Sequence, residues 1–393
     1  MRVLMIPTPV PTHFTPLVPL GWALRAAGHD VLVATQPDML PAVEAAGLNG
    51  VSVGVGFHME ERQQGGLQPE ERPLETHGRH ALEAARPGWI FAMHATYMWQ
   101  AYIETARLLR AEAVVADPLE STSLVVGGVL GIPVYQHRWG VDPLSGAVRR
   151  EAAVMLRGQC ERLGLEKLPE PTALLDPCPP KLQIPDIDEG LPFRFVPFNG
   201  NGPLPAWVDA RFRAERSRPR VLVTLGARTL DLNGVPFVRD FLAAFGRMPG
   251  IEVLATIPAR HRTQIGDLPD TVRMVDPAPL NLLLDWCDVV VHHGGAGTTM
   301  TATAHGLPQL VLPQLADQFA HGDRLRETGA GISFDTAEQQ NNPDVLCEAL
   351  NTLLTDPGYA QAAGDLRQDM RNQPPLAEIV AAMETGTMAL AGR

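Results

Sequence analysis

The sequence predicts an α/β chain of two doubly wound, Rossmann-like domains joined by one linker. Three observations carry that expectation. Short apolar runs alternate with helical patterns in both halves, the alternation breaks once near residue 200, and it then restarts with the same spacing. A length of 393 residues suits two domains of ordinary size.

Residues 2–6, RVLMI, form an apolar run of the kind a parallel strand buried on both faces requires. A proline-rich loop over 7–12 follows. The next segment, 15–27, reads as a helix, with Leu17, Leu20, Leu24 and Ala27 at helical spacing and Gly28 placed to cap it. Residues 31–34 are a second strand, which completes a βαβ unit of right-handed crossover. The polar, charged and glycine-containing segment 57–86 reads as a mobile loop with a short helix. Trp89, Phe91, Met93, Tyr97, Met98 and Trp99 lie in an aromatic and Met-rich helical stretch suited to a flat apolar ligand or to core packing. A strand over 113–116 ends at Asp117, a helix spans 123–130 and a strand spans 133–136.

Across 198–219 the periodicity stops, as Asn, Gly and Pro cluster and give way to charge. The expected division is a first domain over 1–200, a linker over 201–219 and a second domain over 220–372. A terminal helix within 373–393 is expected to pack back on the first domain. In the second half, strands are expected at 220–225, 251–256, 272–275, 289–292 and 309–312. Helices are expected at 235–245, 280–285, 297–305 and 317–328.

A net charge of −12 gives no electrostatic footprint for nucleic acid. Any phosphate must therefore be met by local hydrogen-bond donors. The 4 cysteines lie far apart with no C-x-x-C pair, which points to reduced thiols in a cytoplasmic protein and to neither disulfides nor zinc. Residues 3–24 lack charge and follow Arg2 as a signal peptide would. Pro7, Pro9, Pro11, Pro16 and Pro19 interrupt them, so neither a spanning helix nor stable membrane insertion is expected.

The segment 289–318, VVVHHGGAGTTMTATAHGLPQLVLPQLADQ, is where chemistry concentrates. A strand ends at His292, Gly294, Gly295 and Gly297 make a turn, and Thr298 and Thr299 open a helix. Glycines let the backbone approach an anion, and the helix start offers unpaired N–H groups at the favourable dipole end. His293 adds a ring N–H and Thr298 a hydroxyl. This is a pyrophosphate cradle without lysine, matching neither the P-loop nor the dinucleotide fingerprint. Asp317 and Gln318 follow the next strand, at the sheet end where ligands bind, and suit paired sugar hydroxyls. Asp317 could equally serve as a helix N-cap.

HHGGAGT followed by LPQLADQ resembles the donor-binding motif of GT-B glycosyltransferases of family 1. The opening MRVLMIPTPVPTHFTPLVPLGWALRAAGHDVLVAT, with HRWGVDP at 137–143, is similar to bacterial members that decorate polyketide antibiotics. The resemblance covers essentially the whole chain and implies that the two domains face each other across a cleft. It implies transfer from a nucleotide sugar, usually a dTDP-deoxysugar with UDP-glucose left open, to an apolar small-molecule acceptor. It places His293, Gly295, Gly297 and Thr298 on the diphosphate, with Gly226 and Arg228 on its other side. It puts Asp317 and Gln318 on the sugar, and the stretch from Val275 to Leu280 along the base. His13, at the carboxyl end of the first strand, is implied to be the general base, and Asp117 its assistant. An imidazole has a pKa suited to that task.

His137, Arg138, Trp139 and Asp142 stand at another strand end and are candidates for the acceptor pocket. A direct displacement predicts inversion. No D-x-D pair stands near the glycines and the cradle takes over charge stabilisation, so neither a metal nor a cofactor is expected. The resemblance leaves room for a homodimer and for an auxiliary activator protein. Competing readings are C-glycosylation of a phenolic ring, a GT-B epimerase, disfavoured by the apolar aromatic stretch, and a non-catalytic GT-B partner. Intact His13, His293, Asp317 and Gln318 argue against the last.

Overall fold

The computed structural model describes residues 1–58, 67–68, 70–84, 89–208 and 218–387. Each half builds one parallel sheet. The first contains β1 (Arg2–Ile6), β2 (Asp30–Thr35), β3 (Asn49–Ser52), β4 (Ala113–Ala116), β5 (Val134–His137), β6 (Ala173–Asp176) and β7 (Leu191–Pro192). Their order is β3-β2-β1-β4-β5-β6-β7. The second contains β8 (Arg220–Thr224), β9 (Glu252–Thr256), β10 (Val272–Val275), β11 (Val289–His292), β12 (Gln309–Val311) and β13 (Gly331–Ser333), ordered β10-β9-β8-β11-β12-β13. The two Rossmann-like sheets bear out the expected fold class. In both, strand order reverses beside the first strand, leaving a crevice at the carboxyl ends of β1 and β4 and of β8 and β11.

The apolar-run criterion misses β3, β6, β7 and β13. Their sequences, NGVS, ALLD, LP and GIS, are too short or too polar to announce a strand. Tertiary pairing to an established neighbour makes them strands.

The segment expected as a loop over 7–12 instead starts a one-turn helix, α1 (Pro11–Phe14). Proline presets the first helical dihedral there. After a 3₁₀ turn comes α2 (Val18–Ala26), which buries Val18, Leu20 and Leu24 on the sheet. The predicted mobile loop over 57–86 is also revised. Part of it, residues 59–66, 69 and 85–86, lies outside the described residues. The remainder contains α3 (Pro73–Ala84), kinked at Gly78, and Arg72 and Arg79 dock it on the second domain. α4 (Trp89–Leu108) and α5 (Thr122–Leu130) pack on each other and cover one face of the first sheet.

Within the expected linker, Trp207 and Val208 pack with Leu222, Leu254 and Leu283 of the second domain, while residues 209–217 lie outside the described residues. In the second domain, α6 (Ala296–His305) follows β11 and α7 (Gln318–Glu327) follows β12. The last helix, α8 (Leu376–Thr385), crosses back. Its Leu376, Ile379, Val380 and Met383 join the core of the first domain, and Glu384 Oε1 pairs with His29 Nε2 at 3.0 Å. No helix among the described residues is long and apolar enough to cross a membrane.

Candidate active site

The crevice of the first sheet holds a His–carboxylate pair. β4 delivers Asp117, which is fully buried and accepts hydrogen bonds from Thr8 N–H, from Thr8 Oγ1 at 2.9 Å and from Leu119 N–H at 3.1 Å. α1 holds His13 above it, with Nδ1 3.5 Å from Asp117 Oδ1. That distance is electrostatic contact without a formed hydrogen bond. The His13 side chain is 17% exposed while its Nδ1 is sealed from solvent, so the exposed part of the ring lies away from Asp117. Trp139 meets the imidazole edge-on at 4.3 Å between centroids, and Phe91 approaches at 5.7 Å. Phe91 continues into a small apolar patch with Val10, Phe57 and Ile90. The pair thus borders an aromatic wall.

The crevice of the second sheet holds the glycine turn. Gly294 has φ +85°, and a Cβ there would stand 2.7 Å from the Gln318 carbonyl oxygen, so only glycine fits. The His293 ring lies between two backbones without side chains. A Cβ on Gly295 would come within 2.5 Å of its Nε2, and one on Gly226 within 3.3 Å of its Cε1. Gly297 faces open space at the start of α6. Burial lowers the His293 pKa to about 4, with Asp317 opposing the shift. Beside it, His292 fixes the turn. Its Nδ1 accepts from Gly294 N–H at 3.0 Å, which leaves the Nε2 proton for Gln309 Oε1 at 2.8 Å. Burial takes the His292 pKa to about 3, so it stays neutral. The sequence motif gave no separate reason to single out His292.

Asp317 occupies the N-cap position of α7, but its side chain makes no cap hydrogen bond. The carboxylate is therefore not consumed as a cap. Gln318 Oε1 accepts from Gln314 N–H at 2.8 Å and Leu315 N–H at 3.1 Å, which shapes the turn before α7.

The two crevices are apposed. A Cβ on Gly140, after β5, would stand 3.0 Å from Met300 Cγ of α6 and 3.2 Å from His321 Nε2 of α7. Asn199 Nδ2 donates to Thr301 Oγ1 of α6 at 3.0 Å. The glycine turn and the His–carboxylate pair so belong to one cleft.

Family models match both halves. Residues 22–226 match the N-terminal domain, and residues 239–385 the C-terminal domain, of erythromycin biosynthesis protein CIII-like proteins. The chain belongs to this family of GT-B glycosyltransferases. Over 97% of its length it is 35% identical to L-demethylnoviosyl transferase of Streptomyces niveus, covering 97% of that protein. It is 33% identical to the TDP-daunosamine transferase DnrS of Streptomyces peucetius, with 98% of this chain and 96% of that one covered. The solved spinosyn rhamnosyltransferase SpnG superposes with a TM-score of 0.86 at 35% identity, over 98% of this chain and 100% of that one. SpnG is also known in complex with thymidine diphosphate and with the spinosyn aglycone.

Several residues expected at the site have other partners in the structure. Arg138 and Asp142, expected in the acceptor pocket, are buried in an ion network. Arg138 donates to Asp142 Oδ2 at 2.7 Å, Asp176 Oδ2 at 2.9 Å and the Asp188 carbonyl at 2.6 Å. A guanidinium so committed ties β5 to β6 and has little left for a ligand. His137 is 2% exposed, packs on Phe193 and is held by burial at a pKa of about 4. Of the four, Trp139 alone reaches His13. Val275 and Leu280 bury their side chains in the second domain, and the exposed surface between them belongs to Asp276 and Pro277. Arg228 is half-buried in the short helix Gly226–Thr229 after β8.

Sequence reasoning also missed a second buried pair beside Asp117. His94 Nδ1 lies 3.4 Å from Glu120 Oε2, and Gln36 Nε2 lies 3.2 Å from His94 Nε2. The three-residue step from Phe91 to His94 on one helix face was the available signal.

Proposed function

We propose that this glycosyltransferase moves a deoxysugar from a dTDP-sugar to a hydroxyl of a polyketide-type natural product by a single inverting displacement. The observation that carries the reading is the apposition of the His13–Asp117 pair with the His293 glycine turn in one cleft. Relatives named as transferases of TDP-daunosamine and of a spinosyn rhamnose support the donor and acceptor classes. With Nδ1–H turned to Asp117, His13 Nε2 takes the acceptor hydroxyl proton as that oxygen bonds the anomeric carbon. The bond from that carbon to the diphosphate oxygen breaks, and the departing electron pair goes to the diphosphate. His293, the amides at the start of α6 and Thr298 receive the developing charge, while Asp317 and Gln318 orient the sugar. In this reading the fixed donors stabilise the leaving group without a metal, and no cofactor takes part.

The test is product analysis with dTDP- and UDP-sugars against an acceptor panel, with the anomeric configuration assigned by NMR. An acid-labile O-glycoside of inverted configuration is expected; retention, or an acid-stable C-glycoside, would refute the mechanism. His13→Ala should lower kcat by about 10²–10⁴-fold at saturating acceptor, the usual range for a lost general base.

A further inference from the structure

Residues 70–84 reach from the first domain to the second and seat one arginine inside it. Arg72 is 1% exposed. Its Nη1 donates to Gln314 Oε1 at 3.2 Å and Gln340 Oε1 at 3.0 Å. Its Nη2 donates to Asn341 Oδ1 at 2.6 Å and Glu75 Oε1 at 3.3 Å. The guanidinium lies 3.8 Å over the Phe237 ring. All of these partners except Glu75 belong to the second domain. These partners satisfy a guanidinium that burial has stripped of water, with Glu75 as its counter-charge.

Gln314 connects this cation to the donor side of the cleft. Its Nε2 donates to the Leu312 carbonyl at 2.9 Å and to Gln340 Oε1 at 2.8 Å, and its backbone N–H donates to Gln318 Oε1 at 2.8 Å. The intervening Ala316 has φ +53°, a left-handed conformation that a residue with a Cβ adopts at a cost. The turn over 314–318 therefore needs an external hold. A second one comes from the same segment: Arg79 pairs with Asp323 of α7 and with Asp335 and stands 5.5 Å over Phe319. Asn233 Nδ2 also donates to the Glu71 carbonyl at 3.0 Å.

We infer that Arg72 is a positioning residue of the first domain that sets the turn carrying Asp317 and Gln318 for the donor sugar. The sugar part of this inference rests on the proposed donor reading. Arg72 itself touches no reacting atom. It acts by holding Gln314 in the orientation that fixes Gln318.

The test compares wild type, Arg72→Lys and Arg72→Ala in the full chain by hydrogen exchange over 312–319 and by calorimetry with thymidine diphosphate and dTDP-glucose. Arg72→Ala should speed exchange in that segment by about tenfold or more through local opening. Thymidine diphosphate should still bind within about twofold of wild type, since its contacts lie on the glycine turn. The extra affinity contributed by the glucose should disappear, and Arg72→Lys should fall between. Unchanged exchange over 312–319 would overturn the inference, as would equal weakening of both ligands in a variant whose exchange across the rest of the second domain matches wild type. If wild type itself binds dTDP-glucose no more tightly than thymidine diphosphate, Asp317 and Gln318 do not hold glucose and the sugar part of the inference fails, while the exchange comparison still decides whether Arg72 holds the turn.

Discussion

His293 depends on what its neighbours lack. Gly295 has an ordinary φ of −62°, so alanine would be tolerated by the backbone, but its Cβ would fall 2.5 Å from His293 Nε2. Gly295→Ala should therefore turn the imidazole out of the cradle and weaken thymidine diphosphate binding by about tenfold, the worth of one charge-assisted hydrogen bond. Gly297→Ala meets open space inside a helix and should raise the unliganded protein's stability by about 0.5–1 kcal/mol through helix propensity. It should still weaken diphosphate binding if the anion sits against that backbone. Calorimetry and thermal melts on the two variants separate the cases. Residues of this kind were readable in the sequence because HHGGAGT breaks the surrounding apolar pattern with a run of glycine and polar residues. Arg72 was not readable: it sat in a charged stretch like any solvated arginine, and its partner Gln314 is 242 positions away.

At the scale of elements, the diphosphate site proposed here joins the start of α6 to the half-turn before it. The helix contributes aligned N–H groups, and His293 contributes a ring held neutral by burial at a pKa of about 4. A diphosphate placed there would favour the imidazolium and raise that pKa. Donor binding near pH 5.5 should then take up protons, measurable by calorimetry in buffers of different ionisation enthalpy. Equal heats in every buffer would contradict it, and His293→Gln should abolish the uptake. The strands framing this receptor were plain in the sequence, since VVVH and RVLVT are buried on both faces and show it as apolar runs. The edge strands β7 and β13 were not, since an edge has one partner and little need of apolar side chains.

At the scale of the whole molecule, three histidines tie stability to pH. Burial lowers His137 and His293 to about 4 and His292 to about 3, from an ordinary 6.5. Between those values the unfolded chain binds more protons than the folded one, so stability falls with falling pH. It should be fully present above pH 6.5 and decline steadily below it, read as Tm between pH 7.5 and 5. His137→Phe removes one of these three buried imidazoles and should flatten the decline. The division into two sheets was legible because the alternation visibly stops and restarts. How the sheets oppose each other was not, because it depends on close contacts such as Gly140 on Met300 that have no local signature.

The returning helix α8 has a consequence for synthesis. The first domain's core includes Leu376, Ile379, Val380 and Met383, encoded after the entire second domain. While the ribosome makes residues 220–372, the face of α2 that will receive α8 stays open to water. The domain translated first is thus completed last, and its apolar flank needs protection, by a chaperone or by speed, throughout translation of the other half.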